Sequence, residues 1–164
     1  MYCRSWEILI AYYSFGGNTR ALAGIIGGRT GGNLFEIETA QPYPRDFTQL
    51  HLRARKEIAA AYMPELKSRV EDISQYKVVF IGTPVWWSNP APAAAAFLAG
   101  CDLSKKTVVP FITHSGGRTE LCESRITGLC PHSIPVEPLI VLGSHVANAD
   151  AEARDWLRRI GIPY

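Results

Sequence analysis

With 164 residues, 47% of them hydrophobic and 20% charged, the chain reads as one folded domain over residues 1–164, able to bury a core without disulfides or metals. A formal net charge of +2, with Lys and Arg dispersed, excludes the concentrated basic surface of a nucleic-acid binder. No apolar run approaches the length of a membrane span, and the longest at the start, Ile8 to Tyr13, is too short for a secretion signal, so a cytoplasmic protein is expected.

In chain order, Ile8-Leu9-Ile10-Ala11-Tyr12 is a continuous apolar run, the mark of a strand buried on both faces. Asn18 to Gly28 follows as a helix with Leu22, Ile25 and Ile26 on one face, broken by Gly31-Gly32. Leu34 to Glu38 alternates as an edge strand does. After the Pro42–Pro44 loop, Asp46 is placed to cap a helix with Phe47, Leu50, Ala54, Ile58 and Ala61 on its inner face and Pro64 beyond its end. Its cationic patch, Arg53, Arg55 and Lys56, reads as a solvated face.

Val78 to Gly82 predicts the third strand, and Asn89 to Pro92 opens a helix that Gly100 ends. Thr107 to Thr113 predicts the fourth strand. Pro110 within it lacks a ladder donor, which calls for a bulge or a strand end there. A short helix from Thr119 to about Thr127 and a fifth strand from Val136 to Leu142 follow. A last helix is capped by Asn148, carries Ala153, Trp156, Leu157 and Ile160 inward, and is stopped by Gly161 and Pro163. Cys3, Cys101, Cys122 and Cys130 form no CxxC pair. They read as free thiols, with a Cys122–Cys130 bridge the less favoured pairing and no metal site.

Strands alternating with helices predict an α/β fold with a five-stranded parallel sheet between two helix layers. Such sheets take ligands beyond the C-terminal ends of their strands, which draws attention to three loops. The first, Tyr13 to Arg20, joins a buried strand to a helix. Gly16 and Gly17 let the backbone approach an anion, the helix start offers unpaired amides, and Ser14, Asn18 and Thr19 add donors. No GK[ST] or GxGxxG pattern is present. The second, Gly82 to Pro90, carries Thr83, Pro84, Val85 and the pair Trp86-Trp87. Neighbouring side chains diverge in extended backbone, so one ring is expected to pack inward and the other to meet a flat ligand. The third, Thr113 to Thr119, offers His114, Ser115, Gly116 and Gly117, whose amides suit the polar edge of a heterocycle.

These stretches, Tyr12 to Arg20, Gly82 to Trp87 and Val108 to Gly117, resemble the flavodoxin family, particularly its short bacterial flavodoxin-like proteins, with the likeness running from about Ile8 to Ile160. The resemblance implies a three-layer sandwich with strand order 2-1-3-4-5, the order that doubly wound folds of this type share, and FMN as cofactor. It places Ser14, Gly16, Gly17, Asn18, Thr19 and Arg20 at the phosphate, and Thr83 to Trp87 and His114 to Gly117 at the flavin ring. Where the family carries Ser or Thr, this chain has Gly16, which removes one hydroxyl and leaves an amide.

Flavodoxins proper are acidic one-electron carriers, whereas neither presumed ring loop here holds Asp or Glu, and His114 and Arg118 lie nearby. That balance favours an FMN-dependent oxidoreductase taking electrons from NAD(P)H to quinones or similar small acceptors. The alternatives are a one-electron carrier with a protein partner and a binding module that has lost FMN. The sequence carries no signal for oligomeric state.

Overall fold

The computed structural model describes residues 3–162 and 164; Pro163, expected to help stop the last helix, lies outside them. The central strands are β1, Ile8–Tyr12, and β3, Val78–Trp86. They lie in parallel register from Ile8↔Val78 to Tyr12↔Gly82. Strand β2, Asn33–Glu36, pairs with the other edge of β1, and β5, Thr107–His114, with the other edge of β3. The far edge of β5 is covered by two short segments, β6, Ile134–Pro135, and β7, Leu139–Leu142. Strand β4, Asn89–Pro90, folds back antiparallel on the end of β3. The order β2-β1-β3-β5-β6 is the expected five-position sheet, with the fifth position split in two.

Among the described residues five helices flank it: α1, Asn18–Thr30; α2, Phe47–Ala59; α3, Pro92–Ala99; α4, Glu120–Leu129; and α5, Asp150–Arg159. Alternate residues of each central strand serve opposite layers. Ile8, Ile10, Val78, Phe80, Val109 and Phe111 pack with Leu22 and Ile26 of α1 and Trp156 and Leu157 of α5. Leu9, Ala11, Val79, Ile81, Val108 and Ile112 pack with Phe97 and Leu98 of α3, Cys122 and Ile126 of α4, and Leu50 of α2. This two-faced burial is why the strands read as unbroken apolar runs.

Several expected boundaries shift. Helix α1 runs to Thr30, whose hydroxyl donates to the Ile26 carbonyl, and Gly31 ends it at φ 66°. Strand β2 stops at Glu36, because residues 38–40 turn away to bond the 65–67 segment, with a Thr39–Leu66 bridge. In α2, Asp46 caps as expected by accepting from the Gln49 amide at 2.9 Å. However, Phe47 is exposed and Ala61 lies past the helix end at φ 49°, leaving Leu50 and Ala54 to face inward. Pro92, not Asn89, begins α3. Asn148 does not cap α5: it closes a 3-10 turn over Gly143–Asn148, and Asp150 and Glu152 complement the dipole of the new helix instead. The four cysteines are free, and burial pushes the Cys122 thiol up to about 12.

Pro110 needs neither the bulge nor the strand end expected of it, since β5 pairs with β3 continuously through Ile81↔Pro110. The Thr107 amide bonds Lys77 on the β3 side, and the Lys106 carbonyl receives the Ile134 amide on the other edge. Amide directions alternate along a parallel strand, so Pro110 turns its missing donor to the outer edge, away from β3. There two residues of β5, between Val108↔Pro135 and Phe111↔Leu139, face three of the partner. The irregularity lies instead in the neighbouring strand, which leaves the ladder at Val136-Glu137-Pro138 with one residue more than β5 spans there.

Candidate functional site

The C-terminal ends of β1, β3 and β5 open onto a cleft of about 370 Å³. Its first-loop side begins at Ser14, whose Oγ accepts from the Gly17 amide at 3.2 Å and folds the turn. Gly17 stands at φ 97° as the residue before α1, a conformation that a side chain would strain. The first-turn amides of α1 have no acceptor within the helix and aim past this turn. Asn18 and Thr19 line the cleft. The buried Thr19 hydroxyl lies 2.8 Å from that of Thr113, a bond that ties the start of α1 to β5. A side chain on Gly143 would come within 2.5 Å of Asn18 Nδ2, so glycine after β7 is what lets the Asn18 amide sit there.

Arg20 lies outside the residues lining the cleft. Its guanidinium pairs with Glu36 on β2, and Tyr12 also reaches that carboxylate. The exposed pair contributes little stability, but it commits the positive charge elsewhere.

In the second loop, Thr83 is wholly buried. Its hydroxyl donates to the Pro84 carbonyl and accepts from the Ala91 amide, both at 2.9 Å, stapling the strand end to the start of α3. Trp87 and Ser88 form the two-residue turn of the β3–β4 hairpin, at φ 50° and 62°. Two positive φ values are the pattern of a type I′ hairpin, held here without glycine or asparagine at either position. The two tryptophans therefore diverge because the chain turns between them, rather than by alternation in extended backbone.

Pro84, Val85, Trp86 and Trp87 all line the cleft. Trp86 meets Tyr43 at 5.0 Å, Tyr13 at 5.5 Å and Phe15 at 6.0 Å between centroids, each edge to face. Arg53 supports this cluster: it donates to Glu57 at 2.8 Å, donates to the Pro42 carbonyl at 3.0 Å and lies over the Tyr43 ring, while Tyr43 donates to Glu57. The expected solvated face thus holds at Lys56 but not at Arg53. Burial, with Glu57 adding to it, pushes the Tyr13 and Tyr43 hydroxyls above the usual phenol range.

In the third loop, His114 Nδ1 accepts from the Gly116 amide at 3.1 Å, which assigns the ring proton to Nε2 in the neutral form. Gly116 at φ 107° makes the turn. His114 and Ser115 line the cleft; Thr83, Gly17, Gly116 and Gly117 shape it without lining it.

The sequence reading missed one wall. Phe47, Leu50, His51 and Ala54 of α2 line the cleft, as do Phe15 and Thr113. Spacing at i, i+3, i+4 and i+7 marks a covered helix face but does not say whether a core or a ligand covers it. None of the lining residues is Asp, Glu, Lys or Arg. Hydroxyls and amides at a helix start, opening into an aromatic slot, form a donor set that fits a phosphate carrying a flat heterocycle. Among the described residues no group of three or more His, Cys, Asp or Glu could hold a metal, and no helix is long and apolar enough to cross a membrane.

A family model described as flavodoxin matches residues 7–160. A candidate flavoprotein of Bacteroides eggerthii DSM 20697 is 32% identical, with TM-score 0.84, over 94% of this chain and 98% of that one. Another, of Bacteroides uniformis ATCC 8492, is 23% identical with TM-score 0.83, over 94% and 99%. A flavoprotein of Lactobacillus acidophilus NCFM, solved in complex with FMN, is 22% identical with TM-score 0.76, over 91% and 97%. No curated protein matches the sequence.

Proposed function

The chain belongs to the flavodoxin family, and from that premise we propose that it binds FMN in the cleft and serves as an NAD(P)H-dependent reductase of quinones or similar small acceptors. Ser14, Gly16, Gly17, Asn18 and Thr19 would hold the phosphate by hydroxyls, amides and the positive end of α1. With Arg20 engaged by Glu36, the dianion would be met by dipoles rather than by a side-chain cation. Pro84 to Trp86 would wall the ring on one side, and the 114–117 turn would present amides to its polar edge. Bound FMN supplies the redox chemistry that these side chains lack. In the overall reaction NAD(P)H is oxidised to NAD(P)⁺, and the quinone, with one further proton from water, is reduced to the quinol.

The observation that carries the reductase reading is the absence of carboxylates from the lining of the cleft. A wall without carboxylates does not oppose the negative charge that full reduction adds, which favours two-electron over one-electron exchange. Purified protein saturated with FMN is expected to oxidise NAD(P)H in step with menadione reduction, and its two one-electron potentials should nearly coincide. Widely separated potentials together with no quinone-dependent NAD(P)H oxidation would instead leave a one-electron carrier.

Gly16 offers a direct test of the phosphate loop. A side chain there meets nothing within 4 Å, and no positive φ bars one. Gly16→Ser is therefore expected to restore the family's hydroxyl at no cost in stability and to tighten FMN binding about tenfold, the scale of a bond to a charged group. Fluorescence titration of apoprotein measures it. Unchanged affinity would move the phosphate away from Gly16.

A further inference from the structure

Three exposed aromatic side chains meet at the mouth of the cleft and line it: Phe47 at 74% exposure, Trp87 at 41% and Phe15 at 39%. Scattered singly on a surface they would need no explanation, but gathered around one opening they form the kind of apolar patch that marks a binding site. Two of them belong to an ordered stack. Phe47 and His51, one turn apart on α2, have centroids 5.4 Å apart and planes within 23°. His51 meets Trp87 at 4.1 Å with the two planes tilted by 42°. Trp87 is held there by its indole N–H on the His51 carbonyl at 3.2 Å and by the Arg55 guanidinium over its ring. The stack is anchored at its Trp87 end and ends in solvent at Phe47. Trp86, by contrast, already has ring partners in Tyr13, Phe15 and Tyr43.

We infer that the outer part of the cleft, bounded by Phe47, His51 and Trp87, is a stacking seat for a second, neutral, planar ligand of the fused-ring quinone class. The inference deepens the FMN-dependent reductase reading and rests on it. A flat ring laid against this wall removes apolar area from water and gains ring–ring electrostatics. Unlike the hydroxyls and amides at the start of α1 that would take the phosphate, the ring faces of Phe47 and Trp87 offer a charged ligand little in exchange for the hydration it would lose, whereas a neutral one loses little. The seat therefore selects for planarity and neutrality together.

The test uses the full chain saturated with FMN and two uncharged alcohols that share one carbon skeleton and accept no electrons from a flavin: flat 2-naphthol and its saturated, puckered analogue decahydro-2-naphthol. Equilibrium dialysis should show 2-naphthol binding about tenfold tighter. Phe47→Leu keeps apolar bulk and removes the ring. It should weaken 2-naphthol about fivefold and leave the saturated alcohol unchanged, and the exposure of Phe47 keeps the fold out of the comparison. FMN affinity is measured separately on apoprotein, and its absence would overturn the function on which the seat rests. FMN binding alongside equal affinities for the two alcohols, or a 2-naphthol preference indifferent to Phe47→Leu, would overturn the seat alone.

Discussion

Gly82→Ala is expected to destabilise the protein by about 3 kcal/mol, at the upper end of what overpacking a core costs. A methyl group there would lie 2.2 and 2.3 Å from the Phe111 ring and 2.8 Å from Tyr12 Cβ. Neither neighbour has room to yield. Phe111 is fully buried and paired directly with Gly82 across β3 and β5, and Tyr12 is its partner on β1. Since a domain's whole stability is about 5–15 kcal/mol, the variant should unfold at much lower urea with an unchanged slope. A midpoint close to that of the unmodified chain would mean that the Phe111 ring does not cover Gly82. The same strand carries Pro84 to Trp86 into the cleft, so weaker FMN binding should accompany the loss.

Trp86→Ala is expected to weaken FMN binding more than Trp87→Ala, by tenfold or more, and to cost about 2–3 kcal/mol of stability, at or below the usual range for a large aromatic because the ring is only partly buried. Trp86 joins the loop before α1, through Phe15, to the Tyr13–Tyr43 pair that Arg53 supports. Removing it frees both sides of the slot at once. Trp87 is occupied with His51 and Arg55, so its loss should loosen α2 against the hairpin and leave the deep wall standing. Affinity, together with recovery of flavin emission from tryptophan quenching, distinguishes the two. A greater loss from Trp87→Ala would reverse the assignment.

How much of this was legible in the sequence depended on what each residue had to satisfy. Ile8 to Tyr12 and Val78 to Gly82 were plain because burial on both faces leaves no polar position. The Ser14 to Thr19 turn was plain because a helix start needs its amides met whatever the rest of the chain does. Features set by distant partners were not. Ile37 and Glu38 continue the alternation of β2, yet the chain beyond leaves the ladder for the 65–67 segment, which no local pattern announces. The cleft wall on α2 shared its period with the core, so Phe47 was read as core and His51 went unread. The left-handed turn at Trp87-Ser88 carried none of the residues that usually mark one. Pro110 was rightly seen as a defect in pairing and wrongly assigned to its own strand, because a proline shows that a donor is missing but not which edge it faced.

That edge has a use beyond explaining a proline. Between Pro135 and Leu139 the outer strand is out of ladder register with β5, and Pro110 has no amide to lose there. What secures the segment is lateral: the Trp156 indole donates to the Glu137 carbonyl at 3.0 Å, and Arg159 pairs with the Glu137 carboxylate. Extra chain spliced in just after Pro135 would leave both anchors intact and break no strand pairing. Closing a longer excursion adds only about 0.6 kcal/mol for each doubling of its length. The break thus makes the last edge of the sheet a natural acceptor of inserted sequence, a place where the molecule could acquire a new loop, and with it a new neighbour, while the cleft stays as it is.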